Sequence, residues 1–137
     1  MISRRTFLDG LAATAAVSTS AKSYAQIVGS NDRLNFAVIG LNSRAYAHLA
    51  SLKANSKNAR ITHVCDVDSV ILKRFADRAT TAMGAAPKAD KDFRNVLASR
   101  DVDAITIATP DHWHTPMAID GLRAGKHVYV EKPSSHN

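Results

Sequence analysis

Two runs of sequence decide the fold of this chain: Ala-Thr-Pro-Asp-His-Trp-His from Ala108 to His114, and Val-Tyr-Val-Glu-Lys-Pro from Val128 to Pro133. The first run continues an apolar, β-branched stretch from Val102 to Ala108, which predicts a central strand covered by helices on both faces. Each run therefore places polar side chains directly after a strand. Ligands bind at the carboxyl ends of strands in open α/β sheets, so both clusters are expected at one binding edge.

The segment between these runs has the pattern of a short helix followed by a strand at 127–130. Thr115 offers an N-cap hydroxyl, Pro116 fits a first helical turn and Gly125 supplies the stop. The predicted inward stripe consists of Met117, Ala118, Gly121 and Leu122.

The same alternation of strand and helix occurs upstream. Strands are predicted at 34–39 and 61–65, each followed by a helix, the first to about residue 54 and the second over 70–83. A short helix behind Asp92 is predicted from the spacing of Phe93, Val96 and Leu97. Strands alternating with helices predict an α/β fold with a Rossmann-type, doubly wound and mostly parallel sheet.

The N-terminus has the features of an export signal. Arg4 and Arg5 precede Phe-Leu and an alanine-rich stretch, and Ser23-Tyr24-Ala25 has the small-x-small pattern of a cleavage site. We interpret residues 1–25 as a twin-arginine signal peptide and residues 26–33 as a linker; a solvated amphipathic helix is the alternative. The expected location is the periplasm or another exported compartment, reached through the twin-arginine machinery.

Composition excludes several classes of protein. The remaining segment of about 110 residues can form one compact domain but not two. The formal charge of +6 comes from dispersed residues, without a basic stripe interleaved with aromatic side chains, so nucleic acid is not an expected partner. The single cysteine, Cys65, excludes an internal disulfide and is interpreted as a core residue.

These motifs together resemble the N-terminal domain of the Gfo/Idh/MocA oxidoreductases. The resemblance runs from about Asn35 to Pro133 and is most specific at the Glu-Lys-Pro turn that follows the Thr-Pro-x-x-x-His turn. It implies that residues 34–137 form an NAD(P)-binding Rossmann domain. In the family, a second domain follows and supplies most substrate contacts; that domain is absent from this sequence, so the cofactor domain is expected to be incomplete.

The glycine loop departs from the usual Gly-x-Gly-x-x-Gly/Ala pattern. It has Asn42 at the second glycine position, between Gly40 and Ala45, and asparagine tolerates positive φ better than other non-glycine residues. Backbone amides at the helix start, around Ser43, are expected to face the cofactor's pyrophosphate, and Arg44 adds positive charge. An ordinary turn between strand and helix is the alternative.

Asp66 ends the second strand about 26 residues after Gly40, where a carboxylate can accept hydrogen bonds from an adenosine ribose. This position favours NAD, because the Asp66 carboxylate would repel the 2′-phosphate of NADP. A nearby arginine such as Arg74 could offset part of that repulsion, so NADP remains an alternative cofactor. As the alternative, Asp66 or Asp68 caps the following helix, and the two roles can be divided between them.

The resemblance places Thr109, Pro110 and His114 along the cofactor cleft near the nicotinamide, with Trp113 packed over it. Helix capping and local packing are the alternative roles. His112 and His114 could be taken for a metal pair, but two imidazoles without a third ligand make a poor zinc site, so no metal is assigned.

Glu131 and Lys132 are expected at the mouth of the last strand, and Pro133 biases Lys132 to an extended backbone. The resemblance implies that Lys132 reaches the nicotinamide and the substrate hydroxyl, where its charge stabilises a developing alkoxide. Lys132 is the predicted catalytic residue, and Glu131 is assigned to the cofactor site. A surface ion pair of Glu131 with a neighbouring base is the alternative.

Two classes of function are compatible with these residues. The first is an exported oxidoreductase whose full-length parent transfers hydride to or from a carbohydrate-like alcohol, with this chain alone expected to be inactive. A variant of this class is an NAD-dependent glycosidase, which oxidises and re-reduces its sugar. The second class is a nucleotide-binding remnant or interaction module without catalysis.

Overall fold

The structure, a computed structural model, describes residues 33–135 as an α/β fold with one five-stranded parallel sheet. The strand order is β3-β2-β1-β4-β5, so the chain reverses direction across the sheet between β3 and β4. The predicted doubly wound fold is confirmed. The strands are β1 (Leu34–Ile39), β2 (Ala59–Cys65), β3 (Lys88–Asp90), β4 (Ala104–Ile107) and β5 (His127–Val130).

Within residues 33–135, four α-helices and one short 3₁₀ turn connect the strands. The longest helix has clear local signals at both ends: Asp68 accepts hydrogen bonds from the amides of Val70 and Ile71, and Gly84 ends the helix at a φ of 77°. The helices are α1 (Ala45–Ala54), α2 (Ser69–Met83), α3 (Phe93–Ala98) and α4 (His114–Arg123), with the 3₁₀ turn at Asp111–Trp113.

The core lies on both faces of the sheet, as expected for a parallel sheet covered by helices. Successive residues of β1 point to opposite faces, so Val38 packs with Leu49 and Phe75 under α1 and α2. Ile39 points the other way and packs with Met117 under α3 and α4. Both strand residues are at most 1% exposed, which makes β1 the centre of the domain.

Cys65 is buried at the end of β2, as predicted. Burial, helped by the nearby carboxylates of Asp90 and Asp66, raises the pKa of its thiol to about 12. The thiol is therefore protonated at neutral pH and behaves as a small apolar side chain.

Several local predictions were wrong. Thr115 does not cap α4, because the helix begins one residue earlier and the Thr115 hydroxyl donates instead to the carbonyl oxygen of Ser134, at 2.6 Å. Leu122 does not belong to the inward stripe; it is 63% exposed. β3 was not predicted from the sequence, because it has only three residues and no buried side chain and therefore lacks an apolar pattern.

No helix within residues 33–135 has the length and apolarity needed to cross a membrane.

Candidate functional site

The strand register brings the predicted site residues to one edge of the sheet. Ile39 is paired with Cys65 on one side and with Ile107 on the other, and Ile107 is paired with Val130. These four residues end their strands side by side. The segments that carry the predicted cofactor and catalytic residues therefore emerge next to one another.

Two cavities lie along this edge. The first measures about 500 Å³ and is lined by the ends of β1, β2 and β4 and by the start of α3. The second measures about 470 Å³ and contains Ser43, Arg44, His114, Glu131 and Lys132. Thr109 lines both cavities, so a long ligand can extend from one to the other past this residue.

Gly40 is required where β1 leaves the sheet. Its φ is +78°, and a Cβ at this position would lie 2.6 Å from the Thr109 nitrogen and 2.7 Å from the Ala108 carbonyl carbon. Both contacts are with backbone, which cannot rotate away. The glycine therefore allows the β1 and β4 loops to touch at the floor of the site.

The loop after Gly40 closes differently from the prediction. No non-glycine residue in the described chain has a positive φ, so Asn42 does not substitute for glycine by adopting that conformation. The Asn42 carbonyl instead accepts from the amide of Ala45, at 2.9 Å. The amides of Asn42, Ser43 and Arg44 donate to no acceptor among residues 33–135. Three free amides before a helix form an anion-binding surface.

Asp66 organises this loop from the end of β2. Its Oδ2 accepts from the Leu41 amide at 2.8 Å, and its Oδ1 accepts from the Asp68 amide at 3.0 Å. Asp68, not Asp66, caps α2. The Asp66 carboxylate is therefore not used as a helix cap, and its role towards a ribose stays a prediction. Each Asp66 oxygen retains a second lone pair, which can accept from a ribose hydroxyl.

His114 joins the two motif turns. Its side chain is buried, with Nδ1 2.7 Å from the Pro133 carbonyl oxygen and Nε2 2.8 Å from the Thr109 carbonyl oxygen. A neutral imidazole can donate to one of these oxygens, and the protonated ring donates to both. His114 lines the second cavity, yet its nitrogens face the protein backbone, so its contribution is to hold the turns in place.

Glu131 forms a cluster with Arg44, the N-cap residue of α1, and with His48 of α1. Its Oε1 accepts from Arg44 Nε at 2.8 Å and lies 2.7 Å from His48 Nε2. The hydrogen bonds from His48 and then from Arg44 lower the pKa of Glu131 to about 2, against a smaller opposing effect of burial. The ion-pair alternative for Glu131 is therefore present, with the two partners in different environments: the Glu131 side chain is 11% exposed and the Arg44 side chain is 58% exposed.

His48 was not among the site residues predicted from the sequence. The spacing of His48 from Arg44 could have indicated it, because residues four apart on a helix lie on the same face. Arg44 was predicted to add positive charge to a pyrophosphate site, and the structure adds a second contact of this side chain. Its guanidinium lies in the second cavity but pairs with Glu131 there, which raises the pKa of Arg44 through that hydrogen bond.

Lys132 is exposed between two anchored residues. Glu131 is held by α1, and the Pro133 carbonyl accepts from His114 when that nitrogen is protonated. The bond between Lys132 and Pro133 is cis. Within the described part of the chain, the Lys132 ammonium makes no hydrogen bond or ion pair. A cation on a fixed turn, lining a cavity without an internal partner, is available to a ligand.

The histidine pair offers no metal site in residues 33–135, where no group of three His, Cys, Asp or Glu side chains could hold an ion. His112 is exposed, and His114 faces two carbonyl oxygens.

The residues present fit a dinucleotide. The Oγ1 of Thr109 is buried between the two cavities without a partner among the described residues, which is a polar atom left for a ligand. The free amides at the start of α1 suit a pyrophosphate, and Asp66 lines the first cavity, where a ribose would lie.

Comparison with known proteins agrees with this geometry. The family model of the Gfo/Idh/MocA oxidoreductases, described as an oxidoreductase family with an NAD-binding Rossmann fold, matches residues 34–137. The chain is 36% identical over 112 residues to glycosyl hydrolase family 109 protein 2 of Shewanella sp. (strain ANA-3), covering 78% of this chain and 24% of the relative. It is 37% identical over 108 residues to a glycosyl hydrolase family 109 protein of Saccharopolyspora erythraea, covering 76% and 23%.

The chain thus spans about a quarter of the length of these curated relatives. Among solved structures, the WlbA dehydrogenase of Chromobacterium violaceum, in complex with NADH and UDP-GlcNAcA, superposes with a TM-score of 0.70. Identity is 28%, and the match covers 77% of this chain and 29% of that one. The match of the family model over most of the chain, together with the sheet order and the cleft, shows that the chain belongs to the Gfo/Idh/MocA oxidoreductases through their NAD-binding Rossmann domain.

Proposed function

We propose that this chain is the cofactor-binding part of an oxidoreductase that moves hydride between NAD and a carbohydrate-like alcohol carbon. The observation that carries the proposal is the unpaired Lys132 ammonium on an anchored turn at the cleft. The WlbA dehydrogenase, which matches this domain, was crystallised with NADH and a sugar nucleotide, and this supports both the cofactor and the substrate class.

The residues of the cleft divide the work of binding and catalysis. The amides of residues 42–44 and the start of α1 bind the pyrophosphate, and Asp66 accepts from the adenosine ribose. The nicotinamide, when bound, supplies the hydride acceptor or donor. In oxidation, the hydroxyl proton passes to water or another base and the hydride passes from carbon to NAD. Lys132 stabilises the alkoxide charge that develops on the substrate oxygen as that proton leaves. The remaining substrate contacts belong to parts of a full-length parent outside this sequence.

Calorimetric titration of the whole chain with NADH tests the cofactor site directly. Saturable binding at one site is expected, and Arg44→Ala should weaken it, because Arg44 adds a positive charge beside the free amides. Arg123→Ala is the matched control: Arg123 is also exposed and near a helix end, but it lies at the far end of α4. Absence of saturable NADH binding, or an equal loss in both variants, would contradict the proposed site.

A second candidate, the NAD-dependent glycosidase, is favoured by a separate observation. Two relatives at 36% and 37% identity bear glycosyl hydrolase family 109 names. Such an enzyme would use the same cofactor cleft to oxidise and then re-reduce its sugar, with no net redox change. A full-length parent assayed with a chromogenic glycoside separates the two: a dehydrogenase accumulates NADH without releasing the chromophore, whereas a glycosidase releases it without accumulating NADH.

We also propose that the protein is exported through the twin-arginine route. Support comes from Arg4, Arg5 and the Ser23–Ala25 cleavage pattern, all of which lie outside the described residues. That route carries folded proteins, so NAD would be bound before export.

Cell fractionation tests the export signal. Arg4→Lys/Arg5→Lys should hold the full-length parent in the cytoplasm, and unchanged export would contradict the assignment of a twin-arginine signal. Exported wild-type protein should retain nicotinamide, and an active protein without it rejects loading before export.

A further inference from the structure

The buried contact between α1 and the Glu-Lys-Pro turn gives His48 a specific part in the site. The His48 side chain is 8% exposed, and its Nε2 lies 2.7 Å from Glu131 Oε1. An ionised carboxylate only accepts hydrogen bonds, so Nε2 carries the proton and donates it. The other ring nitrogen, Nδ1, is buried without a partner among residues 33–135, which costs free energy. An apolar side chain at this position would avoid that cost but could not donate to Glu131. The hydrogen bond to Glu131 is therefore what histidine contributes here and an apolar residue would not.

This bond links the two halves of the cofactor site. Arg44, the N-cap residue of α1, precedes His48 by one turn, and both residues donate to the same oxygen of Glu131. The start of α1 carries the free amides proposed for the pyrophosphate, while Glu131 immediately precedes Lys132. Two donors on a rigid helix therefore fix the backbone from which Lys132 extends. On the far side of Lys132, the Pro133 carbonyl is held by His114.

We propose that His48 is a positioning residue, which acts with Arg44 through Glu131 to set where the Lys132 ammonium stands relative to a nicotinamide. The helix that binds the pyrophosphate then also orients the predicted catalytic lysine. This inference rests on the proposed function, because it requires a dinucleotide in the cleft. His48 itself touches neither the cofactor nor the substrate in this scheme, so its loss changes the placement of Lys132 and not the affinity for the cofactor.

Nuclear magnetic resonance of lysine side chains can separate these effects in the whole chain. Reductive methylation with carbon-13 labels each lysine and preserves its charge, and Lys132→Arg identifies the Lys132 signal. Lys126 is the internal control, because its ammonium donates to the carbonyl oxygens of Ser99 and Val102, at the opposite end of β5. The two ligands are NADH and ADP-ribose, which keeps the adenosine and pyrophosphate but lacks the nicotinamide.

In wild type, NADH should shift the Lys132 signal more than ADP-ribose does, and Lys126 should not respond. His48→Asn should lose most of the Lys132 shift, while calorimetric affinities for both ligands stay within about threefold of wild type. His48→Gln should restore the shift, because glutamine places an N–H donor near the position of histidine Nε2. Asparagine, with its shorter side chain, does not reach Glu131.

The outcomes distinguish this inference from the proposed function. A wild-type chain that binds neither ligand contradicts the proposed function itself. A chain that binds NADH but shows no Lys132 shift, or a His48→Asn variant with the full shift, overturns the positioning role. Equal loss of affinity for both ligands, unrescued by His48→Gln, indicates a purely structural histidine and also overturns it. If His48→Asn does not fold, Glu131→Asp provides the second test, because its shortened carboxylate should reduce the same shift and an unchanged shift refutes the link.

Discussion

Replacing Gly40 by alanine should damage the domain more than any ordinary glycine substitution at positive φ. Two separate costs meet at this residue. The first is conformational, because an L-residue at a φ of +78° is strained by about 1–2 kcal/mol. The second is steric: the new Cβ would lie 2.6 to 2.8 Å from three backbone atoms of Ala108 and Thr109, well inside ordinary contact distance.

The steric cost can be estimated from the atoms involved. The three atoms belong to the backbone that continues β4, whose Ala108 amide donates to the Ile39 carbonyl at 2.8 Å. Relief therefore requires the β1 and β4 ends to separate, and overpacking of this kind costs about 1–3 kcal/mol. The sum predicts a loss of roughly 2–5 kcal/mol in the free energy of unfolding, a large fraction of the stability of a small domain.

Gly84 and Gly125 are matched controls within the same chain. Both have a positive φ, at 77° and 73°, and a Cβ at either position would meet nothing within 4 Å. Gly84→Ala and Gly125→Ala should therefore show only the conformational cost, about 1–2 kcal/mol each. Urea unfolding of the three variants, followed by circular dichroism, measures the differences. If Gly40→Ala loses no more stability than the two controls, the close approach of the β1 and β4 loops is wrong.

Three further predictions concern the polar residues of the cleft. Wild type should bind NADH at least about tenfold more tightly than NADPH, because Asp66 repels a 2′-phosphate. In parallel titrations, Asp66→Asn should reduce this ratio of affinities. An unchanged ratio would mean that residues other than Asp66 determine the cofactor preference. In a full-length parent, Lys132→Met should lower turnover by more than about a hundredfold with cofactor affinity largely retained; a small effect in steady-state kinetics would remove Lys132 from the reaction. For Glu131, the folded-state pKa of about 2 lies below the ordinary 4.5, so its stabilisation is complete above about pH 4.5 and is lost as the pH falls towards 2. The unfolding free energies of wild type and Glu131→Gln should therefore converge over that range; a constant difference would contradict the ion-pair cluster.

The sequence predicted most of the sheet because parallel strands and their helices leave strong local signals. The bounds of β1 and β5 match the prediction, since β1 lies between Arg33 and Gly40 and β5 ends where Val130 is followed by Glu131. β4 is shorter than the predicted 102–108 and β2 longer than 61–65, because backbone pairing, not side-chain polarity, determines where a strand ends. β3 lacked a signal because it lies at the sheet edge with largely exposed side chains.

The site was harder to predict than the fold, because its contacts join residues far apart in sequence. The motifs located Asp66, Glu131 and Lys132 at strand ends, and the structure places them there. It also places Glu131 against His48, 83 residues away, and the Leu41 amide against Asp66, 25 residues away. No local pattern indicates such pairs. They depend on which strands are neighbours and on which helix lies over each strand end.

The acidic residues at the strand ends show how one side chain can have a structural and a functional part together. Asp66 closes the glycine loop through the Leu41 amide, and Glu131 connects the last strand to α1. Both contacts are between groups of the chain itself, so the loop and the turn are held by the protein's own hydrogen bonds. Binding then loses less conformational entropy, because the groups that meet the ligand are already held. A structural role for these carboxylates is therefore no argument against a cofactor site; it is the means by which the free amides of the loop and the Lys132 ammonium are presented to one.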